Sequence, residues 1–561
     1  MSTQISGSLI SRNYANFRGV DFSNRKDEVS IYRSPDALNM WKNYRNNNGI
    51  ETRPDIELLK EYSDTIYGLF FYKVNDVTYK IVHSGTKLYK DDKLLYDGMI
   101  EHKSNMFVYN NILYIMDSNK YLRYDGTEIK EVDGYVPTTT IGRSPMGGGT
   151  LYEDVNLLQP LRKNGFSADG TSVEYVLDTE GDITDIKVWV NGEEETNFIY
   201  ESNKIVFNTP PTAPETTGQD NVIIQFKKEV KGYRERITNC TLVETFDNRV
   251  FFSGNPNYKN MLWHCSLDNP EYCSDLDYYA EGTTDSSIKA IVPGNNALWV
   301  MKEPSQSNTT IFYHNPTIDS NYGKIYPSTH SSISTGCVAK AINFNDSISF
   351  FSDRGMEVIS SDVTTEQVIR HTSSFVDGKL LNETKYREMI LEEWEGYLLV
   401  IVGNKIYLAD SRTSTQVNNH VEYEWFYWEF NNEITSTYVK DKVLYLCCNN
   451  EMYSLTDYTN TRKVESYWTT LEDEFKYPQY QKTSNKKGCV IDIDGSSVIV
   501  SVKTDKKPMS MINTYKNVKG YVVSKIKMKK WKHIQLKLSS NSPFTLYSLT
   551  LEAYIGNYVK R

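Results

Sequence analysis

The sequence predicts an all-β protein: a seven-bladed β-propeller with an N-terminal arm, an inserted β-sandwich and a C-terminal β-sandwich. Three observations lead there. The first is a phrase that recurs seven times: an apolar stretch, a polar turn, a second apolar stretch, then a third that is apolar or carries Tyr. The turns centre on Val74-Asn75-Asp76, Asn110-Asn111, Asp247-Asn248, Gly294-Asn295-Asn296, Asn345-Asp346, Glu395-Gly396 and Asp441-Lys442. Asn, Asp and Gly tolerate the positive φ that tight hairpins demand, so such pairs between apolar runs are hairpin signals. The second is spacing. Most copies recur at roughly 37 to 51 residues, in the range of propeller blades. One such sheet cannot bury both faces, whereas sheets stacked around an axis can. The third is 42 Tyr in 561 residues. Tyr joins apolar area and β preference to a wet end, which suits half-exposed strands and interfaces.

The elements follow in order. Residues 1–62 form a polar arm with few strand-like runs. Phe17 to Phe22 is a short extended piece. Ser34-Pro35-Asp36 reads as a helix start, with Ser34 as N-cap and Pro35 at the first helical position, continued briefly by Ala37 to Trp41. Thr52-Arg53-Pro54 closes the arm extended, because the residue before Pro avoids the α region. Blades one and two occupy 63–140. The Gly142–Gly149 run (GRSPMGGG) reads as a flexible linker. Residues 150–232 form the inserted sandwich, with a type I′ hairpin signal at Asn191-Gly192. Blades three to seven occupy 236–462, interrupted by long loops at 266–285 and 315–336. The aromatic strand Tyr423–Phe430 is expected to be sheet core rather than an exposed contact surface.

Residues 467–561 make the basic C-terminal sandwich, with strands at Val490–Ile493, Val498–Val502, Trp531–Leu538 and Leu546–Tyr554. Lys525-Ile526-Lys527-Met528-Lys529 alternates as a strand with its lysines on one face. Such a row either blunts a sheet edge or meets an anion. From Lys476 onward 17 Lys and Arg stand against 4 Asp and Glu, a charge of +13. The chain as a whole carries −10, which leaves −23 for the rest. The two parts are therefore expected to face different surroundings.

Seven Cys without C-x-x-C spacing suit reduced, buried thiols. The opening residues carry no basic-then-apolar leader, and no run is long and apolar enough to span a membrane. The expectation is a protein made in a cytoplasm and released, if at all, within a particle or by lysis. No zinc, P-loop or nucleophile-elbow pattern appears among the 8 His and the Gly-rich runs, so no metal, cofactor or catalytic residue is assigned. His264-Cys265 are strand neighbours facing opposite ways and read as structural. Paired carboxylates serve glycoside hydrolysis, and Glu392-Glu393 and Glu422/Glu424 are candidates by residue type alone, in a chain where carboxylates are abundant enough for chance pairs. Sequons at Asn239, Asn308, Asn345 and Asn382 say little without a secretory route.

The arm carries one more signal. Phe17-Arg18-Gly19-Val20-Asp21-Phe22-Ser23, Val29-Ser30, Arg33-Ser34-Pro35-Asp36-Ala37-Leu38-Asn39-Met40 and Glu51-Thr52-Arg53-Pro54 together resemble the opening of phage packaged-DNA stabilisation proteins, relatives of tail nozzle and tail-hub proteins. The resemblance covers roughly 40 residues. It implies a structural virion component near the portal, a homo-oligomeric ring (hexamer favoured) that retains packaged DNA and later forms its exit conduit. Portal, adaptor or other tail proteins would be its neighbours, and passing DNA would touch it non-specifically. Arg18, Asp21, Arg33 and Arg53 are then the candidate intersubunit arm contacts. Lys525, Lys527, Lys529 and Lys530 are the candidate contacts to DNA or an acidic partner. The expected protein is not an enzyme. The alternative is a receptor- or glycan-binding tail protein.

Overall fold

A computed structural model describes residues 7–44, 49–305, 309–320, 323–331, 335–361, 367–417, 420–455 and 463–558. It is all-β. Among the described residues, six sheets hold four antiparallel strands each, and a seventh four-strand meander, Ile390 to Glu429, forms one end of a 13-stranded sheet. In each of the seven, the first two strands are joined by one of the recurring turns. Both residues of every turn have positive φ: Asn75 48° and Asp76 60°, Asn110 48° and Asn111 62°, Asp247 51° and Asn248 60°, Asn295 53° and Asn296 58°, Asn345 49° and Asp346 55°, Glu395 52° and Gly396 77°, Asp441 50° and Lys442 67°. That is the type I′ geometry whose twist matches the flanking strands.

Two compact units organise the chain: Met1–Phe71 with Val82–Gly85 and Cys337–Arg561, and Tyr72–Ile81 with Thr86–Gly336. The second unit contains the chain between the second and third meanders. There a six-stranded sheet, running in space from Thr150–Leu151 to Glu193–Glu195, shares one core with a three-stranded sheet of Glu174–Val176, Lys204–Phe207 and Phe198–Glu201. Phe166, Tyr175, Val188, Ile205, Val222, Ile224 and Phe226 fill that core. The glycine run expected as a linker is a turn inside this sheet. Thr138–Arg143 pairs with Thr150–Leu151, and Gly147, Gly148 and Gly149 take positive φ between them.

In the first unit the arm is woven into a sheet. Its strands are β1 (Leu9–Tyr14), β2 (Ala37–Leu38), β3 (Met40–Trp41), β4 (Ile50–Thr52) and β5 (Glu57–Glu61). β1 pairs with Leu549–Tyr554, β2 with Tyr467–Trp468, and β3 with Tyr427 and β4. β4 pairs with Thr545–Leu546, and β5 supplies the fourth strand of the sheet Ile434–Leu455. The expected helix at Ser34 is absent. Ser34 Oγ does accept a turn-type bond from the Asp36 N–H at 3.2 Å, but it donates to the Thr469 carbonyl at 2.7 Å. The chain that follows pairs as strand, so tertiary pairing overrides the local helix signal. Trp41 stacks on Trp394 (5.5 Å) and meets Trp428 edge-on (5.6 Å). The aromatic strand is core, with Trp425, Phe426, Tyr427 and Trp428 all buried.

The expected strands at Val490 and Val498 are one strand, Tyr480–Thr504, of 25 residues. It pairs with Lys507–Ser524 on one side and with Phe544–Tyr558 and Ile534–Ser540 on the other. Alternation within each stretch drives this, with the buried parity changing at 485–488 and again at 494–497. Ile491, Ile493, Val498, Val500 and Val502 face the core with no exposed area, while the intervening residues face outward.

Candidate functional site

The most distinctive surface is basic. Residues 506–532 contain nine Lys and no acidic residue. The first part is the strand Lys507–Ser524, whose inward Ile512, Tyr515, Val518 and Val522 pack against the core. Its outward residues include Met511, Tyr521 and Val523, 65%, 75% and 50% exposed. The strand hydrogen-bonds only to Tyr480–Thr504, so its far edge is open among the described residues.

The second part is Lys525 to Lys530. The strand expected there does not form. The segment instead runs extended beside the start of the long strand: Ser484 N–H donates to the Met528 carbonyl at 3.0 Å, and Lys482 and Trp531 exchange two main-chain bonds at 2.7 and 3.0 Å. The alternation still sorts the side chains. Ile526 is fully buried and Met528 half-buried, while Lys525, Lys527, Lys529 and Lys530 are exposed. Lys482, by contrast, is buried. Its Nζ donates to the carbonyls of Tyr477 (2.6 Å) and Lys532 (2.7 Å), and burial pulls its pKa down to about 8. It anchors the segment that presents the other lysines.

The arm residues lie elsewhere in the first unit, tied to neighbours in the same chain. Asp21 is buried and accepts from the N–H groups of Ser23 (3.2 Å) and Asn24 (3.0 Å) and from Asn24 Nδ2 (2.9 Å). Arg33 donates to the Arg18 carbonyl at 2.8 Å and lies 3.6 Å over the Phe375 ring. Arg53 donates to Asn39 Oδ1 (3.1 Å) and the Pro54 carbonyl (3.0 Å) over the Phe430 ring. Burial lowers both guanidinium pKa values to about 10. The Arg18 side chain is 46% exposed, with Nε 4.0 Å from Glu424. Gly19, with φ 85°, lies against the main chain of Trp425, where any side chain would collide.

The carboxylates considered for glycoside chemistry each have bonding partners within the fold. Glu392 accepts from Glu393 N–H and Thr437 Oγ1, Glu422 accepts from Ser374 N–H at 3.2 Å, and Glu424 pairs with Lys42 at 3.1 Å. Burial raises the pKa of Glu392 and of Glu422. His264 is a core residue, its pKa lowered to about 4 by burial, and Cys265 accepts from Val250 N–H. The Asn308 sequon lies outside the described residues.

One cluster had no sequence signal. His371 Nε2 meets Asp377 Oδ2 at 2.6 Å and its Nδ1 meets Glu357 Oε1 at 3.3 Å. Ser373 Oγ donates to Asp377 Oδ1 at 2.6 Å. Burial alone would lower the imidazole pKa, but the two carboxylates carry it up to about 10. Three separate elements supply Glu357, His371 and Asp377, so no spacing could have revealed them. The clamp braces the loop that receives the arm: Phe22 N–H donates to the Phe375 carbonyl (2.7 Å) and Gly378 N–H to Ser23 Oγ (2.9 Å).

With this geometry in hand, comparisons identify no family. No family model and no curated protein matches the chain. Solved structures resemble it only distantly. BamB from Moraxella catarrhalis aligns over 72% of this chain and 98% of its own, at 10% identity and a TM-score of 0.32. An exo-beta-1,3-galactanase from Phanerochaete chrysosporium, with galactose, covers 55% of this chain and 95% of its own, at 9% identity and a TM-score of 0.23. A putative exported protein from Bacteroides fragilis covers 53% and 86%, at 10% identity and the same TM-score. Among the described residues, no helix is long and apolar enough to cross a membrane.

Proposed function

We propose that the protein is a structural component of a bacteriophage virion, a ring-forming connector or nozzle near the portal that retains packaged DNA and forms its exit conduit. The seven meanders are the blades of a β-propeller, the paired sheets of 138–227 an inserted sandwich, and the strands of 467–561 a second one. The recurring type I′ turns support the blades, as does β5, a strand from the arm that completes the last meander.

The observation that carries the DNA role is the lysine array: nine cations in 506–532, a stretch with no acid of its own, displayed along a strand and the segment after it, with Asp494 opposite Lys519 on the neighbouring strand. Such an array attracts a phosphate backbone without reading bases, as a conduit requires. The acidic remainder would keep DNA from sticking elsewhere. Ring formation and neighbouring portal or tail proteins rest on the resemblance of the arm.

Binding of double-stranded DNA at several salt concentrations tests the DNA role. The wild type should bind weakly, with affinity falling steeply as salt rises. Changing Lys525, Lys527, Lys529 and Lys530 together to Gln should flatten the log–log salt slope by about 3–4 at unchanged thermal stability. An unchanged slope would remove these lysines from the proposal. Electron microscopy of the assembled particle, labelled at the C-terminus, tests the location; a label outside the tail and portal would end the connector reading.

A further inference from the structure

Two open sheet edges of opposite charge stand out. The basic one is Lys507–Ser524, eighteen residues long and so about 60 Å in extent. Positive φ at Asn517 and Gly520 interrupts it, and the extended stretches to either side leave main-chain donors and acceptors ready to pair with another strand. The acidic one is in the inserted region. Among the described residues, Glu193–Glu195 is the last strand of the six-stranded sheet and pairs only with Thr184–Val190. Phe198–Glu201, which follows at once, is the last strand of the three-stranded sheet and, among the described residues, pairs only with Lys204–Phe207. Glu193, Glu194 and Glu201 are exposed, and Ile199 is 57% exposed between them. Residues 138–227 as a whole hold 14 Asp and Glu against 6 Lys and Arg.

We propose that copies of this chain join head to tail, the acidic edge strand Glu193–Glu195 of one copy adding to the basic Lys507–Ser524 edge of the next, with Phe198–Glu201 beside the contact. Main-chain hydrogen bonds of strand addition would supply affinity, and the charges would set register and exclude wrong partners. Ile199 would meet the apolar side chains that the basic strand exposes, Tyr521 and Val523. A second basic edge is the wrong occupant. Two Lys507–Ser524 strands paired antiparallel would set Lys516 and Lys519 of one copy near the same lysines of the other, and like charges across a pair destabilise it. A contact that uses a different patch on each side is heterologous, and such contacts close into rings or run on as filaments. The inference therefore deepens the ring-forming part of the proposed function and rests on it.

The test is the mass of the full-length chain by sedimentation and native mass spectrometry. Wild type should assemble. Lys516→Glu with Lys519→Glu should weaken assembly by about tenfold or more, and Glu193→Lys with Glu194→Lys should do the same. A chain carrying all four changes should assemble again, because the charges are exchanged and still opposite. All four positions are on exposed or half-exposed strand surface, and melting temperatures check that each variant folds. If either charge-reversed pair assembles like wild type, or the four-fold variant does not recover, the edge contact is overturned while a ring built by other surfaces stands. If wild type stays a single chain at every concentration, the ring reading falls as well.

Discussion

The arm and the basic hairpin both join the sheet around Tyr480–Thr504, and they join it in opposite ways. The arm carries charge inward. Asp21, Arg33 and Arg53 are buried and bonded within the chain, and β3 and β4 lie between other strands of the sheet. The hairpin carries charge outward on a strand that, among the described residues, is paired along one side only. The difference separates two uses of similar residues. A buried Arg is a strut whose loss leaves desolvated partners behind. An exposed Lys on a rigid strand contributes little to stability and much to the field around the molecule.

Four experiments would break or sharpen that contrast. Trp41→Ala should cost the most, about 3–5 kcal/mol, because the ring lies between Trp394 and Trp428 in the centre of the core. Denaturant unfolding measures it, and a loss below about 1 kcal/mol would mean that the arm is not part of the core. Gly19→Ala comes next, at about 2 kcal/mol or more, since it combines positive φ with a collision against Trp425. Hydrogen exchange at Val20, whose N–H donates to the Trp425 carbonyl, should rise in that variant.

The third concerns pH. The folded His371 pKa, about 10, lies above the ordinary imidazole value of about 6.5. Folding therefore favours the protonated form. The clamp's stabilisation is complete below about pH 6.5 and fades as pH climbs through 10. Arm protection followed by hydrogen exchange, corrected for intrinsic rates, should weaken over that alkaline interval. His371→Gln should lose the pH dependence and start from the weakened level. The smallest effect belongs to the hairpin. Tyr521→Ala should change stability by less than about 0.5 kcal/mol, because the ring is 75% exposed. A loss comparable to that of Trp41 would erase the distinction between the two regions.

Legibility in the sequence follows the same divide. The seven turns were readable because a two-residue type I′ turn depends on two adjacent residues, and Asn and Asp accept its φ locally. The core role of Trp425–Trp428 was readable from aromatic density. The arm was not. Ser34 and Pro35 form a sound helix start, but Ala37 pairs with Trp468 and Met40 with Tyr427, partners hundreds of residues away that no local window contains. GRSPMGGG looks like a linker because glycine permits many conformations, and the flanking strands select the turn. Lys525–Lys529 kept its alternation of burial without becoming a strand: Met528 and Trp531 bond Ser484 and Lys482 of the long strand, with no continuous ladder between them. At the candidate site, the excess of lysine was countable in advance, whereas its display on an open edge was not.

By itself the sequence determined the all-β class, the seven hairpins and the separation of charge, since each rests on neighbouring residues or on composition. The tertiary structure alone decided that the arm's charges turn inward, that His371 finds two carboxylates, and that two sheet edges of opposite sign are left open. Those outcomes depend on which strands pair across long stretches of chain, and pairing is a property of the whole sheet rather than of any segment in it.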